Sequence, residues 1–286
     1  MKLVAWGVKK MALSELSLDA CRALSASTGL PLDFIVKELR VFDALVELTV
    51  FNAEERELVF KGGTALNKIH FSGVQRFSED LDFDLVKARS VEEAIEFMKE
   101  TALVLGKAGF STGRIRRIGR RAPSLQLECG FQTPFGRKDF VRIDAAVKPS
   151  IALRDVVENA VAKSAFVERV VAGVKAYSLD GLVARKLAAL AERCEGRDVY
   201  DVCNGIELVS KDFPNAVRRL LESEGKKESA EDLLKKAAEK LRKADYVELR
   251  NLTNPFIPSQ LRPKDSGAWR AMALTLAEKL EAMAGA

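Results

Sequence analysis

The sequence predicts a mixed α/β (α+β) fold: a mixed β-sheet flanked by helices, followed by a helical C-terminal domain. Three observations carry this. Apolar residues recur at helical spacing over 14–28 and 32–50, marked by Leu13, Leu16, Leu18 and Cys21, then Phe34, Ile35, Leu39, Phe42, Leu45 and Leu48. Short apolar runs and alternating stretches between 57 and 177 read as strands. From Ser178 onward the pattern is helical, over 179–193, 198–209, 212–222, 229–243 and 266–284. This order favours N-terminal helices and a core sheet in 1–177 and a helical domain in 178–286.

In chain order, Gly29-Leu30-Pro31 separates the first two helices. The strand Glu57–Phe60 runs into Lys61-Gly62-Gly63-Thr64, which opens a short helix through Ala65, Leu66, Ile69 and Phe71. A loop over 72–79 leads into a strand over 80–86, and a helix covers 91–107. Residues 111–121, 123–132 and 138–147 alternate as strands, with Thr133-Pro134-Phe135-Gly136 as the turn between the last two. A further strand ends at Val174–Tyr177, and Asn254–Pro258 is a loop.

Composition narrows the chemistry. The 286 residues are 48% hydrophobic and carry a net charge of +5, compatible with an anionic partner. Cys21, Cys129, Cys194 and Cys203 form no C-x-x-C pair, so a zinc or redox motif is not expected. A single histidine, His70, excludes His-rich metal sites and is given no catalytic role. No apolar run approaches the roughly 20 residues of a membrane helix, and the start does not read as a signal peptide, so a cytoplasmic protein is expected. The chemistry must rest on carboxylates, lysines and arginines.

Asp80-Leu81-Asp82-Phe83-Asp84-Leu85 places three aspartates on one face of a strand and three apolar residues on the other. Like charges on one strand face repel, and a divalent cation would remove the conflict; magnesium takes one or two carboxylates together with substrate phosphates. The alternative is a solvated edge face. Upstream, glycines at 62 and 63 allow close backbone approach at a helix start, where free N–H groups bind phosphate. Thr64 serves either as a helix cap or as a phosphate donor. The spacing is neither a P-loop nor G-x-G-x-x-G.

Strand, Gly-Gly-Thr, short helix, loop and Asp-x-Asp together resemble the nucleotidyltransferase fold of the DNA polymerase β type. The stretch Phe60–Leu66 followed by Arg76-Phe77-Ser78-Glu79-Asp80-Leu81-Asp82-Phe83 is similar to the AbiEii/MenT toxin family of nucleotidyltransferases. A second block, Tyr177-Ser178-Leu179, Ala184–Leu190, Arg193 and Arg197-Asp198-Val199-Tyr200-Asp201, fits as well. Two positions depart from the family pattern: Arg185 stands where an acidic residue is common before the lysine, and Gly181 where a carboxylate is frequent, with Asp180 beside it.

The resemblance implies a pyrophosphate-releasing enzyme that moves a nucleoside monophosphate from a nucleoside triphosphate (NTP) to a hydroxyl. It implies roles for Lys61, Asp80, Lys186 and Asp198. Asp80 and Asp82, with Asp84 or Asp144, are the expected ligands of two Mg2+ ions. Lys61, Gly62, Gly63, Thr64, Ser78, Arg193 and Arg197 are the expected nucleotide-binding set. By family analogy the acceptor is the 3′ end of an RNA such as tRNA, and an antitoxin protein is a partner.

The residues read by themselves leave alternatives. Lys186 borders an inward stripe of Leu182, Val183, Leu187 and Leu190, so it either meets an anion or snorkels. Asp198 also suits a helix N-cap. Asp144 shares a strand face with Arg142 and is either the base for the incoming hydroxyl or a second metal ligand, or else the surface partner of Arg142, with Glu128 a weaker candidate. Arg114, Arg116, Arg117, Arg120, Arg121, Arg137, Lys138 and Arg142 form either a phosphate-binding face or an exposed charged surface with little aromatic interleaving. Rival functions are nucleotide transfer to a protein or small molecule, γ-phosphate transfer, and non-catalytic binding on a retained fold.

Overall fold

The computed structural model describes residues 18–55, 57–88, 90–119, 123–147 and 153–285. Helices α1 (Leu18–Thr28) and α2 (Leu32–Glu55) meet at Gly29, whose φ of +67° turns the chain after its N–H caps Ser25. The expected start of the first helix, with Leu13 and Leu16, lies outside the described residues. Helix α2 buries Ile35, Val36, Leu39, Phe42, Leu45 and Leu48 against the sheet, the period its sequence predicts.

Strand β1 (Leu58–Lys61) leads into α3 (Gly62–Ala65), which continues as one π turn, Leu66–His70. Then come β2 (Asp80–Leu85), α4 (Val91–Lys107), β3 (Ser111–Thr112), β4 (Arg116–Ile118), β5 (Ser124–Gln132), β6 (Lys138–Val147), β7 (Val156–Lys163) and β8 (Val170–Tyr177). Six helices follow: α5 (Leu179–Arg193), α6 (Gly196–Gly205), α7 (Phe213–Ser223), α8 (Ala230–Arg242), α9 (Tyr246–Thr253) and α10 (Ser266–Ala284). Among the described residues no helix is long and apolar enough to cross a membrane.

The strands form one mixed sheet in the order β3-β5-β6-β2-β1-β8-β7, with β4 also on β5. Strand β1 is antiparallel to β2 and parallel to β8, while β2 is parallel to β6. The C-terminal ends of β1 and β8 therefore lie beside the N-terminal ends of β2 and β6. At this end α5 and α6 pack on α3, so the helical segment reaches the glycine corner.

Three expectations change. The strand expected over 111–121 is two short strands, both paired with β5 and interrupted after Gly113, whose N–H makes the last bond of the first to Glu128 O; Arg120 and Arg121 lie outside the described residues. Strand β7 escapes the sequence pattern because its register shifts near Ala160, which breaks strict alternation. Helix α9 escapes it because only Leu249 and Thr253 are buried, too few to show a period; its N-terminus is capped by Asp245.

Packing around the sheet includes charges. The Lys68 Nζ on the π turn donates to both Glu38 oxygens, at 2.7 and 2.8 Å, and Ser164 Oγ adds a third bond. Both charged side chains are fully enclosed. Lys68→Met strands a buried carboxylate and is expected to cost about 3–5 kcal/mol in urea unfolding, whereas Glu38→Leu/Lys68→Met together recover most of that loss.

Candidate active site

The glycine corner and the aspartate strand are adjacent. Lys61 pairs with Asp82 in the β1–β2 register. Gly62 has φ +78°, and a Cβ there would stand 2.2 Å from Asp82 Oδ2. Only glycine permits both the turn and that approach. A Cβ on Gly63 would meet Arg76 Nη2 at 2.5 Å, and Asp201 and Lys186 at 3.3 Å. The helix begins at Gly62, so Thr64 is inside it and is not its cap. Its hydroxyl bonds the Asp80 carbonyl and lies 2.8 Å from Ser78 Oγ, tying the helix to the head of β2.

On the sheet, Asp82 lies opposite Asp144 and Asp80 opposite Arg142. Asp80, Asp82 and Asp144 thus share one face, and all three carboxyl groups are pushed above the ordinary range. Burial raises Asp82 to about 6; Lys61 opposes the shift, and Asp144 and Asp80 add to it. Burial raises Asp80, and Glu79 adds to it. Burial raises Asp144 against the bond it accepts from Gln126, at 3.0 Å. Arg142 is not the close partner of Asp144: its Nη1 stands 4.0 Å from Asp80, and its Nε is enclosed without a hydrogen bond.

Asp84 is different. Its side chain is wholly buried and accepts from Lys61 Nζ at 2.5 Å and Tyr177 Oη at 2.6 Å, with Arg185 Nη2 at 3.7 Å. The expectation that Asp84 joins Asp80 and Asp82 as a metal ligand is therefore corrected: its oxygens are already engaged by cationic and hydroxyl donors. Among the described residues no group of three or more His, Cys, Asp or Glu side chains is arranged to hold an ion. A cation would be held by the Asp80–Asp82 pair plus groups brought by a substrate, a donor set of hard oxygens that suits magnesium.

Behind the glycine corner lies a chain of ion pairs. Lys186 Nζ sits 2.8 Å from Asp198 and 3.0 Å from Asp201. Arg76 holds Asp201 through two bonds, at 2.9 and 2.6 Å, and Arg193 holds Asp198 at 2.8 Å. Asn67 bonds Gly63 O and Asp201, and accepts from the Arg76 N–H. Lys186 therefore faces inward onto anions rather than snorkelling. Asp198 is not an N-cap, since α6 begins at Gly196 and its N-cap residue, Glu195, makes no side-chain bond to the helix.

Arg193 is half-exposed, and Arg197 stands 5.2 Å from the Phe256 ring. That ring stacks on Phe34, which stacks on Phe77, and the Phe77 N–H bonds Phe256 O at 2.7 Å. The loop carrying Ser78 is pinned this way by the C-terminal segment. His70 is half-buried against the Tyr177 carbonyl, with its pKa lowered by burial. Asp180 does not turn to the site but caps Ser210.

Sequence reasoning assigned no role to Arg76, Asp201, Asn67 or Tyr177. Arg76, Asp201 and Tyr177 lie inside the motif blocks, which is the one signal that marks them. Asn67 carries no signal, because the π turn that aims it is not written in any period.

Carboxylates crowded against a glycine corner, with a cationic network behind, suit the handling of a polyphosphate, and the protein is a nucleotidyltransferase. More narrowly, the chain belongs to the AbiEii family: the family model described as nucleotidyl transferase AbiEii toxin, Type IV TA system, matches residues 43–282. A search of curated proteins finds no match. Among solved structures, the chain is similar to MenT4, the nucleotidyltransferase toxin Rv2826c from Mycobacterium tuberculosis H37Rv. The TM-score is 0.53 at 17% identity, covering 93% of this chain and 89% of that one, a likeness of fold.

Two outcomes follow from the geometry. Gly62→Ala, which sets a methyl against Asp82 on a left-handed backbone, is expected to cost roughly 1–3 kcal/mol in thermal unfolding and to abolish transfer. Burial raises Asp198 and Asp201, but Lys186, Arg193 and Arg76 outweigh it, so both lie below the ordinary value. Their stabilisation is present above the unfolded-state value of about 3.9 and is lost as pH falls through the lower folded values. Lys186→Met is therefore expected to raise the acid-unfolding midpoint, read by circular dichroism.

Proposed function

We propose that this enzyme transfers a nucleoside monophosphate from an NTP to the 3′ hydroxyl of an RNA such as tRNA, releasing pyrophosphate, in the cytoplasm and as the toxin partner of an antitoxin. The observation that supports it is the placement of Asp80, Asp82 and Asp144 on one sheet face beside Gly62, with all three carboxyls raised by crowding and burial. Such a face favours a cation and the phosphates that come with it.

Magnesium, two ions in this reading, supplies acidification of the acceptor hydroxyl and neutralisation of the departing pyrophosphate. The chain's own residues do the rest. Asp80 and Asp82 would hold the magnesium that the NTP phosphates bring with them. Asp144, bonded only on its Gln126 side, accepts the proton of the incoming hydroxyl. Gly62 and Gly63 let the triphosphate approach the backbone, and Lys61 and Lys186 stand at their margins as counter-charges. Thr64 and Ser78 fix the distance between corner and strand. Arg193 and Arg197 face the opening beyond Asp198. Residues 178–286 act as a helical domain that completes this nucleotide side.

Incubation with each labelled NTP, Mg2+ and total RNA tests the reading: labelled RNA with released pyrophosphate is expected. Label on protein or on a small molecule, or release of a nucleoside diphosphate, would overturn it. Asp82→Asn is expected to lower the rate by on the order of a thousandfold while preserving the fold, since several kcal/mol of charge stabilisation depend on that carboxylate.

A further inference from the structure

The two sides of the site differ. Lys186, Arg193 and the glycine corner lie toward β1 and α5, so the triphosphate occupies that side. In-line attack then requires the acceptor to arrive from the other side, over β6, β5 and β4. That surface is built by the register: Asp144, Arg142, Phe140 and Lys138 on β6 lie opposite Gln126, Glu128, Gly130 and Gln132 on β5, and Arg116 lies opposite Gln126.

Phe140 stands out on it. It is half-buried, yet it is not among the residues packed on the hydrophobic core. Its ring has Lys37 Nζ at 5.0 Å and the Arg142 guanidinium at 5.6 Å from its centroid. Both are looser than the 4.0 Å stack of Arg185 on Tyr177. The ring borders a shallow open depression of about 260 Å³ lined also by Ser111, Gly113, Gly130 and Lys138, with the carboxylates Glu128 and Asp139 at its margin. Gly130, its cross-strand partner, adds no side chain of its own, and Ser111 is the nearest neighbour on that side.

Charge fits an anionic strand. Among the described residues, the carboxylate oxygen nearest Arg142 is 4.0 Å away, on Asp80. Lys138 and Arg116 are exposed, and Arg116 has only a 3.6 Å contact to Glu128. Acidic groups are present, but they are committed: Asp139 and Glu79 pair with Lys37. From Asp144 to Phe140 is four residues of strand, about 13 Å, a span that a short 3′-terminal segment bridges.

We propose that Phe140, with Arg142 beside it, is a stacking platform for an unpaired nucleobase just upstream of the acceptor's 3′ hydroxyl, and that Arg116 and Lys138 hold the adjoining phosphates. This rests on the RNA-acceptor reading and deepens it. The platform selects single-stranded 3′ ends, since bases in a duplex are already stacked on one another. Stacking on one aromatic tolerates any base, so the protein reads the presence of a base here rather than its identity.

The test uses 3′-hydroxyl oligoribonucleotides with a single-stranded end, intact or with one abasic position near the 3′ terminus. Binding is followed by fluorescence anisotropy without NTP, and transfer is followed separately. Phe140→Leu is expected to weaken binding of the intact oligonucleotide and raise its KM by roughly 5- to 100-fold, leaving the KM for NTP unchanged. Phe140→Trp is expected to restore both. The abasic oligonucleotide is expected to bind wild type and Phe140→Leu alike.

If wild type binds and labels RNA but Phe140→Leu matches it, the platform is refuted while the RNA-acceptor reading stands. A changed NTP KM with unchanged RNA binding places Phe140 on the nucleotide side and equally refutes it. If wild type neither binds nor labels RNA, both readings fall.

Discussion

The end of the sheet where chemistry is possible depends on one buried carboxylate, Asp201. It is fully enclosed and is held by Arg76, Lys186 and Asn67. A carboxylate in that position is tolerable only because cations and an amide surround it. In return it fixes the groups that define the glycine corner: Arg76 and Lys186 crowd Gly63, and Asn67 bonds its carbonyl. A helix from the C-terminal segment and a loop from the sheet half are thereby joined through a single ionised group.

The same logic separates the aspartates of β2. They share one strand face, but the side chains of Lys61, Tyr177 and Arg185 cover Asp84, while Asp80 and Asp82 stay partly exposed. Arg185 explains itself here. In place of an acidic residue, it lies on the Tyr177 ring and toward Asp84 and Glu224. The charge reversal is absorbed by the buried carboxylate and does not reach the glycine corner.

Much of this was legible in the sequence. Period-3.6 stripes placed α2, α4, α5 and α10, and the glycine pair with Asp80 and Asp82 marked the corner, because those features are local. What stayed hidden is relational. Alternation assigns Asp84 to the face of Asp80 but says nothing of which neighbours cover it. The Arg76–Asp201 bond joins residues 125 apart in the chain, and no period encodes it. Phe140 carries no signal in the sequence, and only the strand register sets it opposite Gly130 on the face of Asp144.

The stack of Phe34, Phe77 and Phe256 bears on the order in which the molecule is completed. The loop leading into Asp80 is tied to the C-terminal segment by the Phe77 N–H bond to the Phe256 carbonyl and by this stack. Synthesis delivers that ring long after the sheet strands have left the ribosome. A chain that has not yet reached residue 256 therefore lacks this clamp on the loop before Asp80.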